Sequence, residues 1–336
     1  MPTISIFQHD LSHLLGRKVN TTQIEEWMPL VKGEIKDVSQ ESGEIRVELQ
    51  DTNRPDLWCV EGIARQIRSV LQGSQAAYPY YTSRGHPKRR IQVLQGMETV
   101  RPFVAACAAS GYEMTEVALE QCIQTQEKLA DTFGRKRETV SIGLYRLASI
   151  KFPVTYGLVK PQEARFTPLG FDEKMTLQEI LTLHPKGMEY AGILAGHDRL
   201  PLLWDAEGQV LSFPPIINSR ELGEVKVGDT ELLVEVTGTD LTMVVLALNI
   251  FATNLADRGA TIQPLDIVYP YDTPFGSTVK TPLDMGQSHR ISLHAIEQAL
   301  GMPLEAGTVS QTLTAYGYQV KTTRQSLSVR IPPYRN

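Results

Sequence analysis

The chain has no run approaching the roughly eighteen consecutive apolar residues that a membrane-spanning helix requires. Its first residues, with His9, Asp10 and His13 so early, lack the basic and then apolar order of a signal peptide. A cytoplasmic protein is therefore expected. Cysteine is scarce: Cys59, Cys107 and Cys122 are odd in number and show no C-x-x-C spacing, which suggests neither a disulfide framework nor a zinc site and leaves buried thiols. Also missing are the phosphate loop of nucleotide hydrolases, the dinucleotide-binding glycine triplet, H-E-x-x-H and G-x-S-x-G. Nucleotide binding is not indicated. The net charge of -5 argues against a chain coated with phosphate contacts, while leaving room for a local basic stripe.

What is present fits an ordinary globular protein. Residues are 42% hydrophobic and 21% charged, and 336 of them suffice for two or three cores. Thr21 or Thr22 can cap a helix in which Ile24, Trp27, Met28 and Val31 recur at helical spacing before Gly33. Alternation over 34–39 and 44–49 around Ser42-Gly43 reads as a hairpin. Asp56 opens a helix with an apolar stripe through Leu57, Val60, Ile63, Ile67 and Leu71. From Gly73 to Arg90 the chain is rich in Ser, Gly, Pro and Tyr, which reads as a linker with a boundary near 85.

Further on, 117–133 reads as a helix and 139–144 as a strand, and Thr176 with Glu179 forms a capping box. Residues 200–204 and 210–213 flank Asp205-Ala206-Glu207-Gly208 as a hairpin. A strand over 232–236 follows, then a largely apolar helix from the Asp240 cap to Arg258, stopped by Gly259. Two helices over 292–300 and 309–316 and a strand over 327–331 complete the pattern. Strands interleaved with helices imply an α+β, multidomain chain with mixed or antiparallel sheets.

Certain runs carry more than packing. Pro214-Pro215-Ile216-Ile217-Asn218-Ser219 and Glu235-Val236-Thr237-Gly238-Thr239-Asp240 join backbone-restricting residues to short hydrogen-bonding side chains, as a small polar pocket at strand ends requires. Asp51-Thr52-Asn53-Arg54-Pro55-Asp56-Leu57 offers a line of oxygen ligands. A calcium loop, however, wants a glycine and a later bidentate Glu, whereas Pro55 and Asp56 suit the first turn of a helix. Lys88-Arg89-Arg90 and Arg135-Lys136-Arg137 are tight cationic runs, suited to phosphates without sequence specificity or to a solvated surface.

Together with Gly134-Arg135-Lys136-Arg137, these runs occur in an order that resembles the beta subunit of phenylalanyl-tRNA synthetase, in its archaeal and eukaryotic form. The resemblance extends from Met1 to the last residue. It implies an N-terminal α+β (B1-like) domain over 1–85, a B3/B4-like editing domain over 86–270 and a partial B5-like nucleic-acid-binding-like module over 271–336. Ser328 to Asn336 looks like the interior of the family's next motif, so the chain is expected to stop short of a catalytic-like domain. The resemblance further implies that ATP and Mg2+ serve the alpha subunit of an alpha2beta2 heterotetramer, that tRNA(Phe) is bound, and that this portion holds no cofactor or metal of its own.

The activity implied for the middle domain is editing, the hydrolysis of mischarged Tyr-tRNA(Phe). An apolar pocket for phenylalanine rejects an added hydroxyl by only about 10²-fold. A second pocket that hydrogen-bonds the hydroxyl reverses the preference, since phenylalanine leaves buried polar groups unpaired at about 1–3 kcal/mol each.

By the resemblance, Glu235 accepts the tyrosine hydroxyl proton and Thr237 and Ser212 line the same pocket. Leu203 packs on the ring, Asn218 fixes the loop or meets the terminal ribose, and Gly238 admits the backbone to the ester. Arg137 holds the terminal phosphate. A placed water, helped by the vicinal ribose hydroxyl, with backbone amides for the oxyanion, suffices for hydrolysis. Blander readings stand beside these: an ion pair for Glu235, sheet-edge hydrogen bonds for Ser212 and Thr237, a surface loop for Arg135 to Arg137. The chain departs from the family at Gly143-Leu144-Tyr145-Arg146, where relatives often carry His-Asp, so a histidine base is missing there. His184 and His197 lie in loop-like contexts that suggest solvated side chains. A non-catalytic scaffold and a free-standing deacylase acting in trans are the alternatives to an editing subunit.

Overall fold

Apolar residues alternate along Thr3–Phe7 and Glu44–Leu49, and their register sets Ile4 beside Val47 and Ile6 beside Ile45, all buried. Gly33–Val38 pairs on the other side of Glu44–Leu49, completing a three-stranded antiparallel sheet with the expected hairpin turning at Gly43. The structure, a computed structural model, describes residues 2–50, 53–73, 77–86, 88–323 and 325–335, so Asp51 and Thr52 of the 51–57 run lie outside the described residues. The chain divides into two units, Met1–Tyr78 with Asp284–Asn336, and Pro79–Leu283.

In the first unit the helix expected after residue 20 is Thr21–Trp27, capped by Asn20 rather than Thr21 or Thr22. The Asn20 side chain accepts from Gln23 N while Gln23 accepts from Asn20 N, a reciprocal box that a threonine one residue later cannot make. Pro29 then forces a 3-10 turn, Met28–Val31. Asp56 likewise sits in a 3-10 turn, Pro55–Leu57, ahead of the helix Val60–Gln72. Its buried carboxylate accepts from Arg54 Nε and Nη2, each at 2.8 Å, and from Arg335 Nε at 3.4 Å. Burial alone would raise this carboxyl, but the charges of Arg335, Arg54 and Arg65 outweigh it and hold the group below the ordinary range.

The segment 284–336 adds helices Leu293–Leu300 and Ala306–Ala315 and a three-stranded sheet ordered Ser288–Ser292, Ser326–Arg330, Gln319–Thr322. Instead of standing as a separate module it shares a unit with the N-terminal segment: Arg335 also donates to Tyr316 O and Gln66 Oε1, and Ser69 Oγ donates to Ala315 O at 2.7 Å. Both expected borders therefore shift. Tyr80 and Tyr81 are buried with hydroxyls 3.0 and 3.3 Å from Thr253 Oγ1, which places them in the middle unit. Thr278–Thr281 pairs with Thr261–Val268, so that unit continues past 270 to Leu283.

The second unit is built on a ten-stranded mixed sheet. Along its main path the order is Ile217–Asn218, Val210–Phe213, Leu200–Trp204, Val154–Val159, Arg90–Val93, Thr261–Val268, Phe103–Ser110, Glu231–Gly238, Val140–Arg146. Pairing is antiparallel except on the two sides of Arg90–Val93. Thr261–Val268 changes partners at Pro264, pairing with Phe103–Ser110 before it and with Thr278–Thr281 after it, at the residue that has no ladder N–H to offer. The helix Leu241–Asp257, capped by Asp240, is apolar on nearly every side and accordingly buried. The helix expected over 117–133 is Glu116–Lys128 continued by a π turn, Leu129–Phe133.

Asp56→Ala should strip two guanidinium groups of a buried partner and cost the first unit about 3–5 kcal/mol, read as a lower urea midpoint at neutral pH. Because the folded carboxyl lies below its unfolded value, the deficit should shrink as pH falls through the carboxylate range.

Candidate functional site

Period-two alternation sends Leu233, Glu235 and Thr237 to one face of Glu231–Gly238, and the register sets each beside Tyr145, Gly143 and Ser141 of the edge strand Val140–Arg146. Glu235 therefore faces a glycine, and the space above that glycine is taken by the neighbouring tyrosine. The Tyr145 hydroxyl lies 2.6 Å from Glu235 Oε2, 2.8 Å from Ser212 Oγ and 3.5 Å from Asn218 Oδ1. A Cβ built on Gly143 would run into the Tyr145 hydroxyl and come within 2.8 Å of Glu235 Oε2.

Ser212 and Asn218 reach this point from the far end of the sheet, where they are direct register partners across the turn that contains the cis Pro214-Pro215 peptide. Leu203 is the partner of Ser212 on its other side and is fully buried in the core cluster with Tyr145 and Tyr156.

A cavity of about 250 Å³ opens over these residues. Ser212, Asn218, Ser141 and Arg137 are among its polar lining, with Gln126, Glu127, Lys186 and Glu224, and Ile142, Leu144, Phe213 and Ile216 are among its apolar walls. Of the expected site residues, Ser212, Asn218 and Arg137 thus come together on one cavity. Glu235 and Thr237, 2% and 0% exposed, lie behind it and do not line it. Thr237 Oγ1 is 2.9 Å from Ser141 Oγ and accepts from Arg101 Nε at 3.0 Å. Leu203 lies in the core beside Ser212, not on the cavity wall. Gly238 does not line the cavity either: a Cβ there would collide with Thr139 O and with Val244, so strand and helix packing require this glycine.

Arg137, expected to hold a phosphate, lines the cavity and is also bonded within the fold. Its Nη1 donates to Pro215 O at 3.2 Å and Ile216 O at 2.9 Å, and its guanidinium stacks 4.4 Å above the Tyr190 ring. Arg135, Lys136 and Arg137 have φ of 50°, 53° and 68°, three successive side-chain-bearing residues in the left-handed region. Arg146 pairs with Asp229. His184 is buried, caps the helix Pro185–Tyr190 by accepting from Lys186 N, and faces Leu169 O, so it is not a solvated side chain.

Tyr145, Ser141 and Arg101 carry the site and were not identified as site residues from sequence. Arg101 is 1% exposed and donates to Thr237 Oγ1, Thr237 O, Ser141 Oγ and Glu138 O. Burial draws its pKa down to about 10, which leaves it cationic at neutral pH. The Ser-x-Gly-x-Tyr alternation of 141–145 was the available signal for the other two.

The electrostatics follow from burial. Desolvation lifts Glu235 to about 7, against the Tyr145 hydrogen bond and the Arg101 charge, which lower it. Desolvation and then the Glu235 charge hold the Tyr145 phenol well above its ordinary value, so Tyr145 keeps its proton. That single proton goes to the nearest and most basic acceptor, the Glu235 carboxylate. Ser212 Oγ, 2.8 Å from the same hydroxyl, is the second acceptor that hydroxyl faces, and Ser212 lines the cavity. Glu235 Oε1 is buried without a hydrogen-bond partner. Among the described residues no group of three or more His, Cys, Asp or Glu side chains converges as a metal-ligand set, and no helix is long and apolar enough to cross a membrane.

A carboxyl whose folded pKa lies above its unfolded one favours the fold when protonated, and that contribution is lost as pH rises through about 7. Glu235→Gln, which keeps an acceptor for Tyr145, should therefore gain stability over the unaltered chain between pH 5 and pH 8, by on the order of 3 kcal/mol at the alkaline end. Urea unfolding across that range reads the difference; parallel curves would contradict it.

No protein-family model matches the chain. The phenylalanine--tRNA ligase beta subunit of Treponema pallidum is 40% identical over 299 residues, covering 87% of this chain and 50% of the relative. That of Thermococcus kodakarensis is 38% identical over 341 residues, covering 100% of this chain and 58% of the relative, so the chain spans little more than half the length of these proteins. The crystal structure of an N-terminal fragment of the phenylalanyl-tRNA synthetase beta subunit from Pyrococcus horikoshii superimposes with a TM-score of 0.92 at 35% identity, covering 100% of this chain and 95% of the fragment. With its fold and sequence matching over its full length and 95% of that fragment, the chain belongs to the phenylalanyl-tRNA synthetase beta-subunit family.

Proposed function

We propose that the chain serves as the N-terminal portion of a beta subunit of phenylalanine--tRNA ligase and that its Pro79–Leu283 unit hydrolyses mischarged Tyr-tRNA(Phe). The observation that carries this reading is the hydrogen-bonded line from the cavity floor inward, Ser212 to Tyr145 to Glu235. A tyrosine ring fits among Ile142, Leu144, Phe213 and Ile216, and its hydroxyl meets Ser212 and Asn218. A phenylalanine ring in the same place would offer no hydroxyl to the sides of Ser212 and Asn218 that face the cavity, and desolvating such a group without a ligand partner costs about 1–3 kcal/mol.

Hydrolysis needs a placed water and donors for the oxyanion. The vicinal ribose hydroxyl assists the water, and Ser141, which accepts from the buried Arg101 behind it, is one of the hydroxyls that line the cavity. Arg137 supports the Pro215 and Ile216 carbonyls of the wall and contributes positive charge near the mouth. Aminoacylation, with its ATP and Mg2+, belongs in this reading to a partner alpha subunit in an alpha2beta2 assembly, and tRNA(Phe) is the shared substrate.

One observation favours a second reading, a non-catalytic scaffold that holds alpha subunit and tRNA: the Glu235 carboxylate is closed off by Tyr145, and no histidine stands beside it. Deacylation separates the two. The chain should release tyrosine from Tyr-tRNA(Phe) faster than phenylalanine from Phe-tRNA(Phe), and Ser212→Ala should slow the tyrosine reaction by about tenfold, the equivalent of one lost buried hydrogen bond. Rates equal to the spontaneous ester hydrolysis would leave the scaffold reading in place.

A further inference from the structure

We propose that Tyr145 is the specificity-determining residue of this cavity: it is a phenol of the chain's own, seated on the Glu235 carboxylate where a ligand phenol would sit, and it passes the carboxylate's hydrogen-bonding demand on to Ser212. Glu235 is then a positioning residue that touches no ligand. The selectivity consequence rests on the editing reading; the occupancy of the compartment at Glu235 does not.

The case is geometric. The Tyr145 hydroxyl is within hydrogen-bond distance of Glu235 Oε2 and Ser212 Oγ at once, and only Ser212 of these three residues lines the cavity. The register leaves no other room for the phenol. Tyr145 is two residues from Gly143 on the same face, Gly143 is the direct partner of Glu235, and a side chain at 143 would expel the phenol. On the neighbouring strand the partner of Glu235 is Ala106, again small. A compartment shaped by a glycine, an alanine and a carboxylate, filled by an intramolecular phenol, is what a phenol-binding site looks like when occupied.

Removing the resident side chain should therefore uncover a site for a free phenol, as a cavity cut in a core accepts a ligand of matching shape. The probe is p-cresol, the tyrosine side chain as a separate molecule. It should raise the melting temperature of the Tyr145→Ala chain by roughly 3 °C at about ten times its Kd, and leave the unaltered chain unmoved. Adding Glu235→Gln to Tyr145→Ala should weaken p-cresol several-fold.

Tyr145→Phe keeps the ring and the packing but cuts the line between Ser212 and Glu235. Its preference for Tyr-tRNA(Phe) over Phe-tRNA(Phe) should fall by about tenfold, a change that loss of packing alone does not produce. An equal p-cresol shift with and without Tyr145, or none in the alanine chain, overturns the proposal, and so does an unchanged preference in Tyr145→Phe. Should Tyr145→Ala fail to fold, Tyr145→Phe decides. Should the unaltered chain deacylate neither ester, the editing reading falls and the p-cresol measurement still decides this one.

Discussion

A carboxylate held at 2% exposure needs partners or its proton, and the second unit gives Glu235 one strong partner, the phenol of Tyr145 at 2.6 Å. Much of the local sequence serves that one contact. Position 143 has to be glycine, because any Cβ there takes the space of the phenol. Ser212 stands 2.8 Å from the same hydroxyl and joins it to the cavity. Ser212 in turn depends on a hairpin whose loop is pinned by Asp205, buried and accepting from Glu207 N, Gln209 N and Lys151 N. Thus the donor and acceptor pattern on the cavity floor is set two residues deeper than the surface a ligand meets.

A second buried charge lies on the same layer. Arg101 and Glu235 influence each other electrostatically, yet no direct bond joins them: Arg101 is satisfied by Thr237, Ser141 and Glu138, and Glu235 by Tyr145. Keeping the two ions apart, each solvated by neutral hydroxyls and carbonyls, leaves the hydroxyls polarised rather than neutralising the charges in a closed pair. Ser141 and Ser212 both line the cavity: Ser141 accepts from Arg101 and shares a hydrogen bond with Thr237, and Ser212 lies against the Tyr145 hydroxyl.

Local signals in the sequence located the elements well where the interactions are local. The Thr176 and Glu179 capping box, the Asp240 cap and the 200–213 hairpin all appear. Ser212 and Asn218, singled out as neighbours of a pocket, do share one. What stayed hidden depends on register between distant strands. That Tyr145 sits on Glu235 follows only once Gly143 is known to face Glu235, a pairing across 92 residues that no periodicity reveals. That Glu235 and Thr237 lie behind the cavity and not on its lining was hidden for the same reason: alternation says which face a side chain takes, not what covers that face. The middle unit runs past the expected border at 270 because a short edge strand, Thr278–Thr281, returns to the sheet.

The left-handed turn at Arg135, Lys136 and Arg137 ties these levels together. Such φ values cost about 1–3 kcal/mol each for residues that carry a Cβ, and a loop free to relax would not hold three in a row. Here the backbone is held by Lys136 N on Asp131 O and Arg137 N on Ala130 O, at the end of the π turn, and the side chain of Arg137 is anchored on Pro215 O, Ile216 O and the Tyr190 ring. The strained turn thereby fixes the distance between the helix that walls one side of the cavity and the 213–218 turn that carries Asn218 on the other. A lysine at 137 could supply the charge but not the flat fork that bonds two carbonyls while stacking on a ring, so the run reads as cationic in sequence and acts as a brace in the fold.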